Sequence, residues 1–118
     1  MAVATVVLTG FVAVMQFYFL VLEMFLWTTP FGQKTFKRTA AEQEATKILA
    51  ANQGLYNGFL AAGLIWGLVL GDDGTSVKIF FLSCVLVAGL YGGATANRKI
   101  LLVQALPAAI ALVLVLLS

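Results

Sequence analysis

A short polar cluster stands at the start of the second long apolar stretch of this sequence. Asn52 and Tyr56 are separated by one helical turn, and so are Gln53 and Asn57. A helix here would therefore carry all four side chains on one side. Amides and a phenol can bind a ligand, but burying them in apolar surroundings is costly unless they find partners. The sequence thus predicts that other elements supply polar groups to this cluster.

One carboxylate lies inside an apolar run. Thr9, Gln16 and Glu23 are seven residues apart, close to two helical turns, and form one polar stripe along the first run. Glu23 is therefore a candidate proton acceptor, cation partner or general base. An enzyme would need this base together with Asn or Tyr donors that hold a developing negative charge. The sequence leaves open whether such chemistry occurs.

Residue content excludes several other kinds of site. The chain has no histidine and one cysteine, Cys84, which excludes a Cys/His metal site and a His-based catalytic triad. Nucleophile motifs and phosphate-binding loops are absent as well. The basic residues are too few for a nucleic-acid face. We expect no metal, no cofactor and no nucleic-acid partner.

The composition indicates a membrane protein whose first partner is the lipid bilayer. Hydrophobic residues make up 62% of the chain and charged residues 10%, whereas a soluble domain carries about 25% charged residues. Apart from Glu23, charge is confined to short segments between four apolar runs, and a run of about 20 residues crosses a bilayer. We predict an all-α fold, a four-helix transmembrane bundle formed by a single domain over residues 1–118. The helices are expected at about 3–27, 40–70, 77–96 and 100–117.

Local signals place the ends of the first two helices. Trp27 and Pro30 are typical of an interfacial aromatic residue followed by a helix stop. We expect the basic segment 31–38 to be a loop. Thr39 and Glu42 then fit a capping box, which predicts the start of the second helix.

The topology and orientation follow from the links between helices. Residues 97–99 leave a tight link, so that the last two helices are predicted to be antiparallel neighbours, with a kink at Pro107. With four crossings most basic residues fall on one side, and the positive-inside rule puts that side in the cytoplasm and both termini outside. The basic residues of that side are Lys34, Lys37, Arg38, Arg98 and Lys99.

In this topology the polar residues of all four helices converge in the cytoplasmic half of the membrane. We interpret the convergence as a pocket, open to the cytoplasm, that binds a small or amphipathic molecule. A structural alternative is that Glu23 pairs with Arg98 or Lys99 and the amides join helices without binding anything. The residues predicted to line the pocket are Glu23, Asn52, Gln53, Tyr56, Asn57, Tyr91 and Gln104.

Glycines spaced four apart form a second pattern, which lets helices approach closely in lipid. They could pack helices within one bundle, join copies into a homo-oligomer, or bind a larger membrane protein to which this chain is an accessory subunit. The pairs are Gly54/Gly58, Gly63/Gly67 and Gly89/Gly93.

A small proton-coupled transporter is the main alternative function. The length, the four spans and the carboxylate in the first helix resemble the small multidrug resistance proteins. Against this, Glu23 lies near one end of its helix, whereas transporter sites tend to lie near the midplane.

Four stretches of the sequence resemble the DUF1304 family of small, mainly bacterial, integral membrane proteins. They are Glu23-Met-Phe-Leu-Trp27-Thr-Thr-Pro30, Leu49-Ala-Ala-Asn-Gln-Gly-Leu-Tyr-Asn-Gly-Phe-Leu-Ala-Ala62, Gly89-Leu-Tyr-Gly-Gly-Ala-Thr95 and Lys99-Ile-Leu-Leu-Val-Gln-Ala-Leu-Pro107. The resemblance covers nearly the whole chain and implies a four-helix, multi-pass protein of the bacterial inner (plasma) membrane. It implies no established activity, so the functional hypothesis depends on the pocket.

Overall fold

The computed structural model describes residues 2–95 and 98–118, and this part of the chain is helical almost throughout, without strands. The predicted all-α class is confirmed. A 3₁₀ turn at Gly71–Gly74 precedes the fourth helix, and a π-helical segment at Leu101–Ala105 precedes the fifth. Ala96 and Asn97, which belong to the predicted third helix and the tight link, lie outside the described residues. The helices are α1 (Ala2–Met24), α2 (Pro30–Phe36), α3 (Ala40–Val69), α4 (Thr75–Thr95) and α5 (Leu106–Leu117).

Two helical stretches of the described chain are long and apolar enough to cross a membrane. They are Val3–Met24, which is nearly all of α1, and Gly71–Thr95, which is α4 with the turn before it. Leu101–Leu117 is apolar but shorter. At 1.5 Å per residue the 30 residues of α3 extend about 45 Å, and its first two turns carry all of its charged residues.

The connection after α1 differs from the expectation. Helix α1 ends at Met24 rather than near Trp27, because the amides of Phe25 and Leu26 both donate to the carbonyl of Val21. Most of the segment expected to be a loop then forms α2.

Pro30 begins α2 instead of ending a helix. The Thr29 hydroxyl accepts a hydrogen bond from the amide of Gly32 at 3.2 Å, which caps the new helix. Proline is favourable at the first helical position because its missing N–H would have no partner there. Lys37 ends α2 in the left-handed conformation, with φ of 54°.

The capping box at the start of α3 is present as the sequence predicts. The Thr39 amide donates to Glu42 Oε1 at 2.9 Å, and the Glu42 amide donates to Thr39 Oγ1 at 3.2 Å. The helix begins at Ala40, directly after the cap.

The segment before Pro107 has a wider helical turn. The amide of Leu106 donates to the carbonyl of Leu101, five residues earlier, which is the π-helical pattern. Because Pro107 has no amide hydrogen, the helical ladder must change at this point. The structure thus places an irregular turn directly before the predicted kink.

The chain forms two compact units. The first, here called the core unit, comprises the residues up to Met15 and from Leu60 onward. In it the Thr5 and Ser118 hydroxyls lie 3.3 Å apart, which brings the first turn of α1 beside the end of α5. One cluster of its buried apolar residues comprises Val12, Ala13, Leu64, Leu82, Val85, Ala108, Ala111 and Val115.

The second unit, here called the Glu23 unit, is Gln16–Phe59. It contains the end of α1, all of α2 and the first two thirds of α3. Glycine lets the helices meet here, because a Cβ at Gly54 would lie 2.8 Å from Met24 Cγ and 3.1 Å from Glu23 Cβ. This contact supports packing within one chain as the role of the Gly54/Gly58 pair.

We expect Gly89→Ala to destabilise the core unit. A Cβ at Gly89 would lie 2.7 Å from the backbone nitrogen of Ala105, so the two backbones would have to separate. Such overpacking costs about 1–3 kcal/mol, against a gain of up to about 1 kcal/mol from replacing a helical glycine. Gly10→Ala is the matched control, since a Cβ there meets no described atom within 4 Å. Thermal unfolding in detergent should give a lower midpoint for Gly89→Ala alone, and equal midpoints would contradict this close approach.

The capping box should respond to acid. The hydrogen bond from the Thr39 amide lowers the pKa of Glu42, an exposed residue outside both apolar helices. A group whose pKa is lower in the folded state stabilises that state above its unfolded pKa, and the contribution is lost as the pH falls through the folded value. The Thr39 amide resonance should therefore titrate with a midpoint below about 4.3, the ordinary pKa of glutamate. In Glu42→Gln this titration should disappear, and its persistence would disprove the assignment.

Candidate functional site

Glu23 is buried in the last turn of α1 and accepts two hydrogen bonds from α3. Gln53 Nε2 donates to Oε2 at 2.6 Å, and Asn57 Nδ2 donates to Oε1 at 2.5 Å. The two donors are four residues apart, so both project from the same face of the helix. Only 5% of Glu23 is exposed, so the amides replace the water that a carboxylate would otherwise bind.

A third amide extends the arrangement along α1. Gln16 Nε2 donates to Asn57 Oδ1 at 3.2 Å, while Asn57 donates to Glu23. The carboxamide of Asn57 is therefore oriented by both neighbours. Gln16, Asn57 and Glu23 form a directed series, here called the amide chain, in which each hydrogen bond points towards the carboxylate.

The partners of Glu23 are neutral. Among the described residues of its own unit it forms no ion pair. The alternative in which Arg98 or Lys99 balances its charge stays a hypothesis. The ion pair recorded in the described chain joins Lys47 Nζ to Glu44 Oε1 at 2.6 Å, and both side chains are exposed. A charged Glu23 is therefore held by neutral hydrogen-bond donors and not by an ion pair with a described residue of its unit.

A cavity of about 310 Å³ adjoins the carboxylate, within the Glu23 unit. Its walls come from the end of α1, the connection to α2, and the second and third turns of α3. Glu23 and Lys47 are the two charged residues among the described residues that line it. The larger apolar lining residues are Met24, Phe25, Trp27 and Ile48.

Trp27 lines this cavity and is hydrogen-bonded to α3. Its indole Nε1 donates to Thr46 Oγ1 at 3.1 Å, and its carbonyl accepts from Gln43 Nε2 at 2.8 Å. Its ring lies 4.6 Å from that of Phe36, measured between centroids. The connection after α1 is thereby held against the start of α3.

The structure brings together three of the seven residues predicted to line the site: Glu23, Gln53 and Asn57. Asn52 and Tyr56 are exposed and make no hydrogen bond with Glu23, because successive residues point about 100° apart around a helix. Tyr91 and Gln104 belong to the core unit, outside the unit that holds the carboxylate. Tyr91 is 72% exposed.

Sequence reasoning missed three residues around the candidate site, Gln43, Thr46 and Lys47. The first two continue the face of Gln53 and Asn57 towards the start of α3, with steps of three and four residues through Ala50. This spacing was the available signal: continuing the helical repeat of Gln53 and Asn57 towards the N-terminus of α3 leads to Thr46 and Gln43. Lys47 lies beside that face and had no comparable signal.

Comparisons with known proteins find one family and a relative that covers nearly the whole chain. The chain matches, over residues 10–116, the family described as "Protein of unknown function (DUF1304)". It is 31% identical over 115 residues to "Uncharacterized protein YpaA" of Lactococcus lactis subsp. lactis (strain IL1403), covering 96% of this chain and 97% of that protein. No solved structure matches. The resemblance predicted from the four stretches is confirmed, and the matched residues include the amide chain and the cavity.

We expect Asn57→Leu to destabilise the Glu23 unit by about 3 kcal/mol, because it removes the hydrogen bond that Asn57 donates to the buried Glu23 Oε1 and the one that it accepts from Gln16 Nε2. Asn52→Leu makes the same chemical change five residues earlier, at an exposed position, and should stay within about 0.5 kcal/mol. Denaturant unfolding of both variants in detergent provides the measurement. Similar losses for the two would show that the amide chain contributes nothing specific.

Proposed function

This chain belongs to the DUF1304 family, and we propose that it is an integral membrane protein that binds an amphipathic molecule with a cationic group in the cavity beside Glu23. One observation carries the proposal. A buried carboxylate, held by two neutral amides and without an ion pair among the described residues, lines a cavity whose other lining residues are apolar or aromatic apart from Thr28 and Lys47.

The distribution of polar residues in α1 supports membrane insertion. Thr9, Gln16 and Glu23 are buried, whereas Val14 and Phe17 are more than half exposed. A surface helix in a water-soluble protein shows the opposite pattern, with its apolar stripe inside. Lipid is the solvent in which this arrangement is favourable, because apolar side chains face the hydrocarbon and polar groups find partners within the protein.

We further propose four crossings, with α3 and the last helical segment joining the two most apolar helices in the bilayer of a bacterial inner membrane. The contact between Thr5 and Ser118 supports an even number of crossings, since it puts both chain ends at the same end of the helices. Basic residues such as Lys34 and Arg38 in and after α2 favour the cytoplasm for the opposite end.

The chemistry of Glu23 favours a cation as the bound group. An ionised carboxylate offers about four acceptor positions, and the two amides use two of them. Burying the charge without compensation is costly, so a positive group entering the cavity gains more than a neutral one. Trp27 and Phe25 add aromatic surface, which attracts cations as well as apolar chains.

The test uses dodecylamine as the probe and Trp27 as the reporter. The chain has two tryptophans, so Trp66→Phe leaves Trp27 alone, and binding in a neutral detergent is followed by its fluorescence. We expect Glu23→Gln to weaken dodecylamine binding about tenfold or more. Dodecanol, which lacks the charge, should bind the parent protein as weakly as dodecylamine binds Glu23→Gln. Glu44→Gln, which removes an exposed carboxylate of the same unit, should have no effect.

Glu23→Asp guards against a folding artefact, since it keeps the charge while shortening the side chain. It should bind more tightly than Glu23→Gln. If Glu23→Gln binds dodecylamine as well as the parent protein, the cavity is not a cation site and the proposed function is wrong.

A further inference from the structure

We propose that the ligand is a zwitterionic lipid with a primary ammonium group, of the phosphatidylethanolamine type. Its ammonium group would bind Glu23 and its phosphate would bind Lys47. This inference rests on the proposed function and names the chemical class of its ligand.

The cavity presents opposite charges to one molecule. Glu23 and Lys47 both line it, the first at the end of α1 and the second in α3. Its volume of about 310 Å³ is at the lower end of small-molecule sites, which span about 300–1,000 Å³. A lipid headgroup fits such a volume, whereas a complete lipid does not, so the acyl chains must stay outside.

Lys47 is available to an anionic group. Its ammonium is paired with Glu44, but the side chains are 53% and 62% exposed, and exposed pairs of this kind contribute little. One donor of the ammonium is engaged at Glu44 Oε1, and two more remain for a phosphate oxygen. A phosphate can therefore join or replace Glu44 at small cost.

Apolar residues at the rim of the cavity offer a path for the acyl chains. Phe25 is 69% exposed and Ile48 79% exposed, although both also line the cavity. Leu49, the neighbour of Ile48, is 72% exposed and extends this apolar surface. A water-soluble zwitterion would gain nothing from these side chains, which is why a lipid is favoured over a free headgroup.

A primary ammonium suits Glu23 better than a trimethylated one. Gln53 and Asn57 donate to the carboxylate, and its remaining acceptor positions need donors from the ligand. A primary ammonium supplies three N–H groups, whereas trimethylammonium supplies none and would leave those positions unsatisfied.

The experiment uses the full chain with Trp66→Phe in neutral detergent. Binding of lysophosphatidylethanolamine, lysophosphatidylcholine, dodecylamine and free phosphoethanolamine is followed by Trp27 fluorescence. We expect Lys47→Gln to weaken lysophosphatidylethanolamine about tenfold, with dodecylamine unchanged. Lys34→Gln, the same change in α2 outside the cavity lining, should affect neither. Lysophosphatidylcholine and free phosphoethanolamine should each bind about tenfold more weakly than lysophosphatidylethanolamine.

The outcomes separate this inference from the proposed function. If Lys47→Gln leaves lysophosphatidylethanolamine binding unchanged while Glu23→Gln still abolishes dodecylamine binding, the cavity binds cations but the zwitterion assignment is wrong. Free phosphoethanolamine binding as tightly as the lysolipid would overturn the lipid assignment. Equal binding of the two lysolipids would overturn the requirement for a primary ammonium. If dodecylamine binding does not depend on Glu23, the proposed function itself is wrong.

Discussion

The hydrogen bonds that Glu23 accepts are the constraint on which the Glu23 unit depends. A carboxylate that is 5% exposed needs donors, and Gln53 and Asn57 supply them only if α3 comes close to α1. Gly54 lies between the two donors in sequence and makes that approach possible, since a Cβ there would press on Glu23 and Met24. The glycine thus permits the short distance between α1 and α3, and the two amides form hydrogen bonds across it.

Much of the fold could be predicted because it follows from local rules. The all-α class follows from long apolar runs without alternation, and the start of α3 from the reciprocal bonds of Thr39 and Glu42. Helix α2 could not be predicted from Pro30 alone, because proline both ends helices and begins them. Thr29 decides between these roles by capping the new helix, and a threonine before a proline is a weak signal by itself.

The site could be predicted only in part. Glu23, Gln53 and Asn57 were identifiable, since a buried acid needs donors and amides at helical spacing provide them. That Asn52 and Tyr56 do not take part in these hydrogen bonds has a geometric cause. Four residues within two helical turns spread over a wide arc of the helix surface. Tertiary packing determines which part of that arc faces α1, and only the pair at that part, Gln53 and Asn57, reaches Glu23. The cavity depends on how the connection after α1 folds back on α3, and no periodicity in the sequence encodes that.

The direction of the amide chain has a consequence for proton movement. Imidazole can accept a proton at one nitrogen and release another from the second, and a hydroxyl can do both at its oxygen, but a carboxamide does not do so readily at neutral pH. Gln16 and Asn57 are therefore not expected to pass protons to Glu23, although their hydrogen bonds form a continuous series. We therefore expect protons to reach Glu23 from the cavity rather than through the two carboxamides.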